Sequence, residues 1–143
     1  MFEVKFKKLD PSAVIPQYQT EGSAGFDLHS VETVMIPSGS QMLVKIGLAV
    51  EIPEGTELQL RPRSGLALKK MISITNSPGT LDSDYRGPIG IILINHGANS
   101  FFVTKGDRIS QAVLCPVIKA EIIEVEELSE TNRGVGGYGS TGK

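Results

Sequence analysis

Gln41 to Ile52 reads QMLVKIGLAVEI, and its parity decides the fold class. Met42, Val44, Ile46, Leu48, Val50 and Ile52 fall on one side of a period of two, with Lys45, Gly47 and Glu51 on the other. That alternation is the pattern of a half-buried strand. Further along, PIGIILIN (88–95) is continuously apolar and β-branched, so a strand buried on both faces is expected there. ISQAVLCPV (109–117) and AEIIEVEEL (120–128) carry further strand patterns. PSGS (37–40), PEGT (53–56), SPGT (77–80) and TKGD (104–107) have the chemistry of turns. Only SGLALKK (64–70) suits a helix, with Ser64 to cap it, Leu66 and Leu68 as apolar surface, and Lys69 and Lys70 at its C-terminal end. The expected architecture is all-β, a jelly-roll-like sandwich or barrel with one short helix. The whole of 1–143 reads as a single domain, and the strand pattern stops near Ser129, so 129–143 is expected to be a mobile arm.

Composition narrows the function classes. Sixteen glycines and eight prolines leave little room for long helices, and 40% hydrophobic with 21% charged residues is a soluble balance. A net charge of −2 argues against a duplex-DNA binder, so no nucleic-acid partner is expected. The single cysteine, Cys115, excludes a disulfide within the chain and suits a reducing compartment. The first residues, MFEVKFKKLDPSAVIPQ, alternate apolar and polar side chains without an apolar run of signal-peptide length, and no stretch approaches a membrane span. The expectation is a cytoplasmic protein with no membrane partner.

Two motif matches fail on their chemistry. Gly137–Lys143 spells G-x-x-x-x-G-K, but a phosphate loop also needs a hydroxyl residue after the lysine and a helix to follow, and the sequence supplies neither. DSDYRG (82–87) opens like a calcium loop, yet its fifth position is Arg86 and its twelfth Leu93, neither of them a ligand. His29 and His96 lack metal-pair spacing and an adjacent nucleophile, and each reads as structural. Cys115, in an apolar strand pattern beside Pro116, reads as a packed thiol.

What remains is a series of polar clusters set into apolar β-structure: SAGFDLHS, RPRSGLA, NSPGTLDSDYRG, KGDRISQ and the tail RGVGGYGSTGK. Each of the first four has an ordinary explanation when taken alone. Asp27 can be a turn aspartate, Asp82 and Asp84 loop residues, Arg63 and Ser64 a helix start, and Gln111 a hydrogen-bonded core amide. In this order and near these spacings, however, the five clusters resemble the motifs of the homotrimeric deoxyuridine triphosphatases (dUTPases), GTLDSDYRG and RGVGGYGSTG most specifically. The resemblance implies a jelly-roll-like β-barrel of the β-clip type, assembled as a homotrimer with sites shared between subunits. It also implies magnesium-assisted hydrolysis of dUTP to dUMP and pyrophosphate, which limits uracil in DNA and supplies dUMP for dTMP synthesis.

By the same resemblance, Asp27 holds Mg²⁺ through water, and Arg63, Ser64 and Gly65 meet the phosphates at the helix start. Asn76 and the hairpin through Gly79 and Leu81 receive uracil. Asp82 is the catalytic base for the attacking water, Tyr85 packs under the deoxyribose, and Gln111 contacts phosphate. Asp84, Arg86, Asp107 and Arg108 read as structural partners. In the arm, Arg133 pairs with the γ-phosphate, Tyr138 stacks on uracil, and Gly139, Ser140 and Thr141 wrap the phosphates. Glycines permit that approach, and a tail so rich in them should order only over substrate. Tyr138 stands where phenylalanine is usual, and Ser30 where alanine is frequent; an aromatic ring stacks comparably in either form. The nearest rival is a dCTP deaminase of the same fold, which relies on a glutamate in the nucleobase region; none lies between Asn76 and Asp82. A nucleotide-switched regulatory protein, with a protein partner, is a second alternative.

Overall fold

The alternation in 41–52 is realised as two strands and not one. In the computed structural model, which describes residues 2–139, β4 (Gln41–Lys45) and β5 (Leu48–Glu51) are separated by a corner at Gly47. Val44, Ile46, Leu48, Val50 and Ile52 are all buried, so the apolar parity survives the break. Gly47 has φ +67, and a Cβ there would lie 2.8 Å from Asp10 Cβ and 2.9 Å from Val31 Cγ1. Its carbonyl accepts the amide of Leu9 at 2.8 Å, which draws the N-terminal segment across the corner.

The other strands are β1 (Lys5–Lys8), β2 (Phe26–His29), β3 (Val34–Ile36), β6 (Thr56–Arg61), β7 (Ile72–Ile74), β8 (Gly79–Leu81), β9 (Gly90–Asn95), β10 (Phe101–Val103) and β11 (Arg108–Pro116). The pairings form one four-stranded sheet, β2-β11-β6-β8, one three-stranded sheet, β4-β9-β7, and two ribbons, β1-β5 and β3-β10. Every pairing is antiparallel, in the all-β, jelly-roll-like arrangement expected. Ile36, Leu58, Ile72, Ile91, Leu93 and Ile109 sit in the core at 1% exposure or less, each contributing about 1.5–3 kcal/mol through burial. Three of the four expected turns fall in place, with positive φ at Gly39, Gly55 and Gly106; in SPGT (77–80) the chain turns over 75–78, and Gly79 and Thr80 already belong to β8.

Three expectations are corrected. β9 alternates, with Ile91, Leu93 and Asn95 buried but Ile92 and Ile94 only half-buried: one face of its sheet meets the core, and the other is incompletely covered by the described residues. Residues 120–128 form no strand: regular structure ends at Pro116, and Ile122 and Leu128 are 97% and 87% exposed. Their apolar alternation pairs with no strand edge among the described residues. The helix α1 (Ser64–Lys70) has Arg63 as its N-cap residue, in extended conformation, without a side-chain cap, and Ser64 is its first helical residue. Leu66 packs against the core as expected, but Leu68 is exposed.

Candidate active site

β2 alternates buried and half-buried, so Phe26 and Leu28 enter the core while Asp27 and His29 share the opposite face. Phe26 is fixed by edge-to-face contacts with Phe6 and Tyr18, at centroid distances of 5.8 and 5.4 Å. Asp27 pairs in register with Gln111 on β11, which pairs in turn with Arg61 on β6. Gly25 makes this approach possible, since a Cβ there would sit 2.8 Å from the Ala112 carbonyl oxygen. Residues from three separated clusters therefore meet at one end of the sheet.

The meeting point is held by charge. Arg63 Nε donates to Asp27 Oδ1 at 3.0 Å, and Arg108 Nη1 donates to Asp27 Oδ2 at 3.2 Å. A second Arg63 nitrogen, Nη1, donates to the Arg108 carbonyl at 3.2 Å. Gln111 Nε2 donates to the Pro62 carbonyl at 2.9 Å, bracing the turn into α1. The cap is missing because Arg63, the N-cap residue, carries only donors and cannot accept a helix amide; its side chain is turned toward Asp27 instead. The first intrahelical bond is Ala67 N to Arg63 O, so the amides of Ser64, Gly65 and Leu66 precede it and stay free for an anion. A Cβ at Gly65 would meet nothing within 4 Å, so the first turn of α1 is uncrowded on that side. Two guanidiniums against one carboxylate leave this corner net positive. Asp107, expected to be structural, accepts the Thr104 amide at 2.8 Å and closes its turn.

The second group of residues lies at the far side of the same sheet. β8 pairs with β6, Gly79 opposite Leu60 and Leu81 opposite Leu58, and a Cβ at Gly79 would press on the Leu60 side chain at 3.2 Å. Asn76 and Ser77 form the exposed turn before it. Beyond β8, the Asp82 carbonyl accepts the Tyr85 amide at 3.1 Å, and the Tyr85 hydroxyl donates to the Pro88 carbonyl at 3.0 Å. The Tyr85 phenol lies against Gly87, where a side chain would overlap it. Asp82 is exposed and lines a cavity of about 610 Å³ with Glu54, Glu57, Asp84, Arg86 and Lys119. Four carboxylates against two cations make that cavity hostile to a triphosphate on its own.

The described part of the arm, up to Gly139, bonds within itself. Arg133 Nε donates to the Gly136 carbonyl at 2.8 Å, Gly134 N donates to Thr131 O at 3.0 Å, and Tyr138 is fully exposed. Ser140 and Thr141 lie outside the described residues. His29 is half-buried beside Asp27, with Nδ1 buried and unpartnered among the described residues. Burial chiefly lowers its pKa below 6.5; Arg108 and Arg63 push the same way, and Asp27 opposes them. His96 is exposed. Cys115 is half-buried, 3.6 Å from Arg61 Nη2, as a packed thiol should be.

A dUTPase family model matches residues 11–142. The chain belongs to the dUTPase family. Among curated dUTPases, the deoxyuridine 5'-triphosphate nucleotidohydrolase of Nautilia profundicola is 59% identical over 141 residues, covering 99% of each chain. That of Helicobacter pylori is 55% identical over 140 residues, covering 98% of this chain and 97% of its own. Among solved dUTPases, a mutant of the Staphylococcus bacteriophage 80alpha enzyme with dUpNHpp superposes with a TM-score of 0.90 at 30% identity, covering 99% of both chains. A mutant dUTPase of phage phi11 of S. aureus, described as revealing the coordination of a structural Mg(II) ion, gives 0.83 at 25% identity, over 90% of this chain and 99% of its own.

Arg86 and Arg108 are structural partners as expected: Arg86 bonds carbonyls of its own loop and faces Glu51, and Arg108 pairs with Asp27. Nothing in the sequence signals that Arg63 and Arg108 grip the same carboxylate, or that the partner of Arg86 lies 35 positions earlier in the chain.

Proposed function

We propose that the chain hydrolyses dUTP to dUMP and pyrophosphate at sites assembled between the subunits of a homotrimer. The observation that carries this reading is the Asp27–Arg63–Arg108 junction at the start of α1, with Gln111 beside it. That corner has the charge and the free amides a triphosphate needs. Water held by the Asp82 carboxylate gives up a proton and attacks the α-phosphorus; the bond to the bridging oxygen breaks, and pyrophosphate leaves. Tyr85 offers a shelf for deoxyribose, where a 2′-hydroxyl would collide. The backbone between Asn76 and Leu81 offers uracil a pairing edge. Cytosine reverses that donor and acceptor pattern, leaving buried groups unpaired at about 1–3 kcal/mol each.

The donor set fits magnesium in one particular way. Among the described residues there is no group of three or more His, Cys, Asp or Glu placed to hold an ion. The Asp27 carboxylate accepts one guanidinium bond on each oxygen, and carboxylates have about four acceptor sites, so it can still bind water. An ion bound mainly by phosphate oxygens and water, with Asp27 outside its shell, suits this arrangement. When bound, it offsets charge on the phosphates.

The sheet supports sharing between subunits. Asp27 lies on β2 and Asp82 just beyond β8, with two strands between, and the register sets Asp27 level with Arg61 and Asp82 level with Glu57. Strand spacings of about 4.8 Å and rises of about 3.3 Å per residue separate the two carboxylates by roughly 20 Å. That span, with the acidic wall around Asp82, favours the cationic corner of one chain facing the Asp82 loop of another. The exposed apolar row in 120–128 supports the assembly, as a segment that needs a neighbour's surface. Arg133, Tyr138 and Gly139, with Ser140 and Thr141, then close over a neighbouring site. The lone cysteine fits a reducing compartment, and we place the enzyme in the cytoplasm.

Pyrophosphate release with magnesium, offered dUTP, dCTP, dTTP and UTP separately, tests the reading. Cleavage of dUTP alone is expected. Equal cleavage of all four would remove the hairpin and Tyr85 from specificity, and ammonia release from dCTP would return the deaminase reading.

A further inference from the structure

We propose that Arg86 is a positioning residue for the hydrolysis, locking the loop that presents Asp82 and Tyr85, and that Glu51 and Lys5 brace it from the N-terminal ribbon. This rests on the role of Asp82 given above.

The loop from Asp82 to Pro88 joins β8 to β9 on an exposed surface. One backbone bond, Tyr85 N to Asp82 O, closes its turn, and a single such bond contributes only about 0.5–1.5 kcal/mol. That is little to hold a general base where an error near 1 Å costs about 100-fold in rate. Arg86 supplies the missing constraint. Its Nη1 donates to the Ser83 carbonyl at 2.7 Å and to the Tyr85 carbonyl at 3.0 Å. One guanidinium nitrogen thus straddles Asp84 and fixes the residue that follows Asp82 together with the tyrosine itself. The guanidinium spreads its donors over three nitrogens, so Nε can face Glu51 while Nη1 serves both carbonyls, which the single nitrogen of an ammonium cannot do from two sides.

The outer edge of the same guanidinium faces Glu51, with Nε 3.9 Å from Oε2. The other oxygen of Glu51 accepts Lys5 Nζ at 2.7 Å, and Lys5 and Glu51 are cross-strand partners of β1 and β5. Hydrogen bonding and charge from Lys5 hold the Glu51 carboxyl below its ordinary pKa, so it remains an anion opposite Arg86. All three side chains are exposed, so their direct contribution to stability is small. Their effect is directional: the loop is tied to a strand ribbon that is itself paired into the fold. Because Nη1 is spent on its own loop, Arg86 acts through Asp82 and not by gripping phosphate.

The test uses the full-length chain with dUTP and magnesium. Arg86→Ala is expected to lower kcat by about 10- to 100-fold with KM within about threefold of the parent. Millimolar guanidinium ion should restore part of that kcat, with no effect on Asp82→Asn. Glu51→Gln should lower kcat by only a few-fold. A kcat within about twofold of the parent, a rise in KM at unchanged kcat, or a fallen kcat that guanidinium does not restore would each overturn the proposal. If Arg86→Ala does not fold, Arg86→Lys, which keeps the charge but loses the nitrogen that faces Glu51 beside the one on the loop, is judged by the same kcat and KM criteria. An active Asp82→Asn would instead remove the Asp82 role, and this proposal with it. An inactive Asp82→Asn beside a normal Arg86→Ala would remove the brace alone.

Discussion

Gly47→Ala probes the corner on which the fold turns, and its cost can be worked from the coordinates. Two effects act there. At φ +67 an L-residue is in the left-handed region, at about 1–2 kcal/mol relative to glycine. The new Cβ would also lie 2.8 Å from Asp10 Cβ, 2.9 Å from Val31 Cγ1 and 3.1 Å from Ala13 Cβ. None of these is the free end of a flexible side chain, so overpacking adds about 1–3 kcal/mol. Gly39 provides the control: its φ is +71, but nothing lies within 4 Å of the Cβ position. Gly39→Ala should therefore cost about 1–2 kcal/mol and Gly47→Ala about 2–5 kcal/mol. At roughly 4 °C per kcal/mol, melting points should fall by about 4–8 °C and about 8–20 °C respectively. Both variants and the parent are measured by thermal melting at one fixed protein concentration, since the proposed assembly would make the midpoint concentration-dependent. A Gly47→Ala melt no lower than that of Gly39→Ala would refute the steric part of the argument.

Two further outcomes are expected. Deleting residues 133–143 should abolish most dUTP turnover while circular dichroism and the melting point of the core remain close to the parent's; full activity in the truncated chain would show the arm to be a linker. Stability should decline as pH falls below 6.5, because the unfolded chain protonates His29 while the folded chain, whose histidine pKa is lowered, does not; the decline from this group levels off below the folded pKa. His29→Asn should flatten that part of the stability–pH curve, read from urea midpoints between pH 7.5 and pH 5, and an unchanged slope would dismiss the burial argument.

Periodicity made the strands legible, and pairing remained hidden. The alternation in 41–52 reported which side chains enter the core, but a period of two persists through a corner, so only the steric demand at Gly47 reveals the bend. Residues 120–128 carry the same alternation but pair with no edge among the described residues. A sequence pattern states what a strand would bury and not whether a partner exists. The functional clusters were legible as residue types in order. Their meeting was not, because Asp27 and Gln111 lie 84 positions apart and are joined only by the β2–β11 register. The start of α1 shows a one-residue shift with a chemical consequence: Ser64 is the first helical residue, so the N-cap position falls to Arg63, which has no acceptor to cap with and pairs with Asp27.

The central claim is that one active site draws its phosphate corner and its base from different chains. Mixed assemblies of Arg63→Ala and Asp82→Asn, unfolded together and reassembled in equal amounts, test it directly. Each variant alone should turn over dUTP at less than about one-hundredth of the parent rate. Random assortment into trimers gives an intact corner opposite an intact base in about a quarter of sites, so the mixture should regain about 25% of parent activity. Activity no higher than the average of the two separate variants would mean that each site is built from a single chain.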